Sequence, residues 1–462
     1  MSRLAIRDMG ETIAEEIAEY VSAARLSDFA PESIQAAKER IWDTLGVMFA
    51  AADAPPVMAA RRVIERWPVS GGATVLGSRV KVAPHDAALV NGIMARYLDF
   101  NDTYLSKEAI HPSDMIPAII AAGECFEASG EDLLRSVLVA YEVACAMADT
   151  VTIRDRGFDH VSNIAIGAAA GVASLLELDL ERTHEAINIA TVNAAALRQT
   201  RSGELSMWKG CAAAYAARHG LYSSLLAAEG VTGPKPVFEG ELGYMKAVSG
   251  PFTMPKLTSN AVRILRTSIK WRPVEYHSMS AVEAATRIYE EAGGIRASEV
   301  DKIAIRTFRV SYNILAKDPE KWRPKSRETA DHSLPYITIR TLLDGDIWLE
   351  SFNHGKIHDL AFLELAEKTT VEVEPRYDSM YPGAVPNMVE VSMRDGRRYY
   401  AEVVYPKGHF RNPLTDEELR AKFTRLIRGR LTEEQTATVW EVVMVLERLK
   451  SVKDLTSLLS YV

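Results

Sequence analysis

Cysteine is scarce in this chain: three in 462 residues, Cys125, Cys145 and Cys211, with no paired motif between them. A cubane iron–sulfur cluster needs at least three converging thiolates, so this spacing argues against one, and each cysteine reads as a small buried hydrophobe in an Ala-rich helix. A glycine-rich phosphate loop is missing as well; the nearest approach, SGGATVLGSRV, fits neither nucleotide fingerprint. Basic charge is in deficit, 54 Lys and Arg against 62 Asp and Glu, for a net charge of −8 and an isoelectric point near 5.8. With acids and bases interspersed, that balance argues against nucleic acid or an anionic membrane as partner. Long apolar runs are absent too. The best candidate, IAIGAAAGVASLLELDL from Ile164, is rich in Ala and Gly and ends in acids, as a packed soluble helix does. The start, MSRLAIRDMGETIAEEIAEYVSAARL, has no basic-then-apolar leader and reads as an amphipathic helix. A cytoplasmic protein is expected. His354 and His358 stand four apart but have a glycine between them and no carboxylate motif, so no metal site is expected.

What is present is enough apolar residue, 47%, for a large interior, and a length beyond what one core usually supports. From residue 10 to about 230, apolar residues recur at three and four, as in DLLRSVLVAYEVACAMAD and MWKGCAAAYAARHGLYSSLLAAEG. Many of these faces are Ala and Gly, which let helices approach closely. After about residue 270 the pattern becomes α+β: a helix SAVEAATRIYEEAG, alternating runs DKIAIRTFRV and TVEVEP, and MVEVSMRDGRRYYAEVVYP folded at Asp395-Gly396 as a hairpin. The tail from Asp416 returns to helix. The expected fold is mainly α with an α+β second domain. A helical domain from residues 1–268 and 406–462 would carry an inserted α+β lid, residues 269–405, with the binding site in the cleft between them.

Residues 97–114, YLDFNDTYLSKEAIHPSD, crowd Asp99, Asp102, Asp114, Thr103, Tyr104 and His111 into one segment. Helix interiors disfavour that mix, so it reads as a polar loop facing a cleft, with Ser113 or Asp114 also able to cap the following helix. Four more clusters stand out in the sequence. RQTRSGELSMWKG brings Arg198, Arg201 and Lys209, the lysine at a helix start where the dipole disfavours it. IKWRPVEYHSMSAVEAA brings Lys270, Arg272 and His277. ADHSLPYITIRTLLDG brings Asp331, His332, Ser333 and Tyr336, and RGFDHVSNIAIG brings Asp159 and His160, for which helix capping is the plain alternative. Cations beside titratable acids and bases, without a redox motif or a Ser or Cys nucleophile signature, suit proton abstraction and elimination on a polycarboxylate.

Several of these stretches in order, TVLGSRVKVAPHDAALVNG, YLDFNDTYLSKEAIHPSD, MWKGCAAAYAARHG, PVFEGELGY, EYHSMSAVEAA and DHSLPYI, make the chain resemble the MmgE/PrpD family over essentially its whole length. That family includes 2-methylcitrate dehydratases, cis-aconitate decarboxylases and iminodisuccinate epimerases. The resemblance implies a discontinuous helical domain with an inserted α+β lid, a homodimer, and catalysis without a cofactor. It implies catalytic roles for Asp99, His111, Lys209, His277 and Tyr336, and substrate contacts from Asp102, Thr103, His160, Arg201 and Lys270. His111 or Asp99 would be the base, and His277 or Tyr336 the donor to a leaving hydroxyl. The LSKEAI spacer and the GFDHV stretch look like the dehydratase branch, so the expected reaction is 2-methylcitrate to 2-methyl-cis-aconitate, with citrate as a further candidate. Decarboxylation of cis-aconitate and epimerisation or racemisation of a dicarboxylate are the alternatives, and a catalytically silent carboxylate-binding protein is the reading from outside enzymology.

Overall fold

A computed structural model of the chain describes residues 12–259 and 263–460. Helix α1 (Ile13–Ala23) starts on a capping box between Thr12 and Glu15 and buries Ile13, Ala14, Ile17, Ala18 and Val21. The part of the expected N-terminal helix before Thr12 lies outside the described residues. Helices α2 (Pro31–Ala50), α3 (Pro55–Ile64) and α4 (Pro84–Arg96) each open with proline, whose missing N–H costs nothing in a first turn. A two-residue hairpin, β1 (Ala73–Thr74) against β2 (Lys81–Val82), separates the last two. Then come α5 (Ile116–Cys125), α6 (Gly130–Thr150), α7 (Val161–Leu175), α8 (Leu180–Val192) and α9 (Ala212–Ala228).

Helix α7 is buried along every one of its residues, which its Ala and Gly content makes feasible. A Cβ on Gly220 of α9 would stand 2.4 Å from the Ala165 carbonyl oxygen of α7, and one on Gly171 would stand 2.8 Å from the Ala140 Cβ of α6. Backbone approach this close is open only to glycine. Cys145 and Cys211 are buried in this packing, whereas Cys125, at the end of α5, is half-buried and corrects the reading of all three as interior.

The α+β part holds α10 (Met279–Ala292) and a sheet of β3 (Val300–Thr307), β4 (Thr369–Val373), β5 (Asn387–Met393) and β6 (Arg398–Val403), ordered β4-β3-β5-β6. β3 runs parallel to β4 and antiparallel to β5. β5 and β6 form a hairpin whose turn holds Gly396 at φ +92°, so a mainly α chain with an α+β portion is what the sequence predicts and the structure has. Helix α10 packs on this sheet with Val282, Ala285 and Ile288, and the helix Leu334–Asp344 packs in turn against α10, adding Ile337 and Ile339 to the same core.

Three further helices, Asp416–Leu426, Glu433–Met444 and Val452–Leu458, return to the first half. Trp42 of α2 stacks on Phe423 at 3.6 Å and meets Trp440 edge-on at 4.9 Å. Beside them Lys422, buried, pairs with Asp43 at 2.6 Å and donates to the Phe100 carbonyl at 3.1 Å. Buried apolar side chains gather in two main clusters, a helical one closed by Leu419, Phe423 and Leu455, and an α+β one that also takes in Leu105. The polar segment 97–114 therefore runs along the seam between them. Among the described residues no helix is long and apolar enough to cross a membrane.

Candidate active site

The segment after α4 turns sharply at Asp99, whose φ of +52° is the left-handed conformation that Asp tolerates better than most residues. Its buried carboxylate pairs with Arg96, one turn back, and with Lys270 at 3.3 Å, while the Lys270 ammonium also donates to the Asp99 carbonyl at 2.7 Å. Burial alone would raise the Asp99 carboxyl, but Arg96, Lys270 and Lys209 outweigh it and hold it well below the usual carboxylate range. Asp99 is thus a fixed anion and a weak base. Asp114 sits behind Arg96, accepts from Asn101 at 2.8 Å, and is pushed by burial up to about 7.

Asp102 corrects an expectation. Its Oδ1 accepts from the Ser113 N–H at 3.0 Å and the Ser113 hydroxyl at 2.6 Å, and its Oδ2 from Tyr141 at 2.8 Å, so both oxygens are spent inside the protein. It braces the two ends of the segment and does not reach the cavity described below. Its carbonyl does the functional work, taking a hydrogen bond from His111 Nδ1 at 2.6 Å, with the Thr103 hydroxyl 3.2 Å from the same nitrogen. A carbonyl only accepts, so Nδ1 carries the proton and Nε2 is left with a lone pair. Burial, then Arg96 and Lys270, hold His111 well below the ordinary histidine range, so it is neutral at pH 7.

Three more imidazoles are built the same way, each with a carboxylate on Nδ1. His160 meets Asp159 at 2.9 Å, His332 meets Asp331 at 2.7 Å, and His277 meets Glu275 at 2.6 Å. Burial lowers His160 and His332 to about 4 each, and Arg201 and Lys209 add to the effect. Asp159 is held far below the carboxylate range: burial would raise it, and Arg201 at 3.0 Å with His160 prevails. The doublet is no helix cap, since no side chain caps α7. Lys209, on the turn Met207–Gly210 before α9, reaches across to Asp331 at 2.8 Å and is fully buried.

All four histidines line one narrow cavity of about 60 Å³, with Arg96, Arg154, Arg198, Arg201 and Lys321 as its cations and Glu108 and Glu275 as its acids. Five positive side chains against two negative, with His111, His160 and His332 neutral, give the interior a positive balance in a protein of net charge −8. A larger hollow of about 1050 Å³ against the helices Asp416–Leu426 and Glu433–Met444 is lined by no histidine.

Of the residues expected at the site, His111, His160, Arg201 and His277 line the cavity, and Asp99, Thr103, Lys209 and Lys270 stand directly behind it. Tyr336 does not join them. It is buried among Phe352 and Phe362, and its hydroxyl donates to the Ser351 carbonyl, which corrects its reading as a proton donor. The phenol that does approach is Tyr381, 3.4 Å from His277 Nε2 and hydrogen-bonded to Arg154. Arg96, Arg154, Glu275, Lys321 and Tyr381 were not singled out from sequence. A cue existed for one of them: Asp159-His160, Asp331-His332 and Glu275-x-His277 all set a carboxylate one or two residues before the imidazole it holds.

A cationic chamber lined by imidazoles has the groups that proton transfer on an anionic ligand requires, and known proteins give the chain a family. The MmgE/PrpD N-terminal domain signature matches residues 15–256 and the C-terminal domain signature residues 273–448. The 2-methylcitrate dehydratase of Escherichia coli (strain K12) is 28% identical over 404 residues, 80% of each chain. The cis-aconitate decarboxylase of Homo sapiens is 26% identical over 473 residues, 98% of this chain and 95% of its own. The mitochondrial 2-methylcitrate dehydratase of Yarrowia lipolytica is 27% identical over 396 residues, 80% of this chain and 75% of its own. The chain belongs to the MmgE/PrpD family.

Proposed function

We propose that this protein is a cofactor-independent lyase that removes water from a tricarboxylate, converting 2-methylcitrate to 2-methyl-cis-aconitate, with citrate as a further substrate. The observation that carries the reading is His111: an imidazole with Nδ1 tied to a carbonyl, neutral by burial, in a cavity walled by cations. The product's double bond includes the methyl-bearing carbon, so His111 Nε2 takes the proton from that carbon, next to a carboxylate. Arg201 and the other cavity cations stabilise the charge that builds on that carboxylate. His277, its Nδ1 held by Glu275, acts as the imidazolium in this scheme, giving the proton on Nε2 to the departing hydroxyl, which leaves as water. Asp99, Lys209 and Lys270 fix the electrostatics behind the cavity and move no proton in this scheme.

The open space is well under the roughly 300 Å³ at which ordinary small-molecule pockets begin, so the helical and α+β parts must separate to admit substrate. Decarboxylation of cis-aconitate is the second reading, favoured by the decarboxylase match that runs over 98% of the chain, against 80% for the dehydratase. Proton NMR of separate incubations with 2-methylcitrate and cis-aconitate decides between them. Loss of the methine proton signal with growth of an allylic methyl is expected; itaconate from cis-aconitate alone overturns the dehydratase reading. We also propose a homodimer in the cytoplasm, its interface drawn from the exposed Leu197, Met207, Trp208, Tyr215 and Tyr222. Sedimentation should then report twice the chain mass of 51.0 kDa.

A further inference from the structure

Lys321 is the one lysine lining the cavity, and among the described residues its ammonium makes no ion pair or hydrogen bond. It is 3% exposed. Lys209 and Lys270, equally buried, are each matched to a carboxylate, and Arg96 is matched to two. The Nζ keeps a little access to the cavity while the rest of the side chain is buried, so the ammonium is largely desolvated yet open to an anion, and such a charge is costly until it is matched. The backbone around it is firmly placed: the Lys321 N–H donates to the Asp318 carbonyl at 3.0 Å, and the Lys321 carbonyl accepts from the Ser333 hydroxyl at the start of the helix Leu334–Asp344.

A second open donor lines the same cavity. Arg201 spends Nε on Asp159 and Nη1 on the Lys209 carbonyl, but its buried Nη2 has no partner. The two open cationic donors come from different halves of the molecule, Arg201 from the helical part and Lys321 from the α+β part. We propose that Lys321 binds one carboxylate of the substrate while Arg201 binds another, so that a ligand is held only if it carries two separated carboxylates that bridge the halves. This rests on the tricarboxylate reading above and adds a specificity residue to it. A monocarboxylate fills one donor and leaves the other buried and unmatched, which disfavours closure around it. Burial, with Lys209 nearby, pulls the Lys321 ammonium below the ordinary lysine range, in keeping with a cation waiting for an anion.

The test is calorimetric titration of the full chain with tricarballylate, a tricarboxylate that has no hydroxyl to lose, and with acetate, alongside melting curves of the free protein. Lys321→Met keeps the length and removes the charge, and Lys321→Arg keeps the charge. Loss of one partner of a buried charge pair is worth about 30-fold or more in affinity. Lys321→Met should therefore bind tricarballylate about 30-fold more weakly or worse, and KM for the substrate should rise far more than kcat falls. Free Lys321→Met should also melt higher than wild type, because an unmatched charge has left the interior. Lys321→Arg should bind within severalfold of wild type. Unchanged tricarballylate binding by Lys321→Met overturns the proposal, as does a lower melting point with the ligand response intact, the mark of a structural lysine. Wild-type protein that ignores tricarballylate overturns the tricarboxylate reading and this inference with it.

Discussion

At the scale of single residues, what matters in this cavity is which ring nitrogen is already engaged. His111 Nδ1 is, so a neutral side chain that reproduces the donor but has no basic atom, as in His111→Gln, should lower kcat by about 10²- to 10⁴-fold while tricarballylate binding stays within severalfold. Steady-state assays and calorimetry check the two halves, and near-normal turnover would remove His111 from the chemistry. The same burial has a thermodynamic signature. His160 and His332 titrate at about 4 when folded and at about 6.5 when unfolded. Between those values the unfolded chain takes up protons that the folded one refuses, so stability is full above pH 6.5 and falls as pH drops toward 4. The loss is roughly 3 kcal/mol per imidazole at most. Urea unfolding at pH 7 and pH 5 reads it, and equal midpoints would contradict the buried, neutral assignment. Sequence disclosed the histidines because few side chains titrate near neutrality. It hid Arg96 and Lys321, because nothing local distinguishes a buried cation from the solvated ones around it. Tyr336 misled for a related reason: its motif marks a helix start, and the phenol then turns into the core to meet Ser351.

At the scale of elements, the Ala and Gly periodicity made the close-packed helices legible, since only small residues explain such faces. Gly220 is the sharpest instance. With the Ala165 carbonyl 2.4 Å from where a Cβ would stand, Gly220→Ala must push α7 and α9 apart and should destabilise by about 1–3 kcal/mol despite alanine's better helix propensity. A thermal melt checks the sign; an unchanged or higher melting point would show that the helices have slack. The hairpin at Asp395-Gly396 was equally legible, because a left-handed glycine between alternating runs is a local instruction. The parallel pairing of β3 with β4 was not. More than sixty residues and several helices lie between those strands, and a half-buried alternation says which face is inside without saying which neighbour lies alongside.

At the scale of the whole molecule, the seam between the two apolar clusters is also where segment 97–114 lies, which is why a stretch too polar for any helix interior is nevertheless buried. Sequence could flag its chemistry but could not reveal its supports, which come from remote parts of the chain. Lys422 is the most remote of them. It ties Asp43 to the Phe100 carbonyl, next to the Asp99 turn, from a helix more than three hundred residues downstream. During synthesis, therefore, the helical half waits with Trp42 uncovered and a buried aspartate unneutralised until the α+β part has been made and residues 416–426 have emerged. A ribosome-stalled chain ending at 410 should remain protease-sensitive in α2, and protection at that length would show that the helical half completes itself without its final staple.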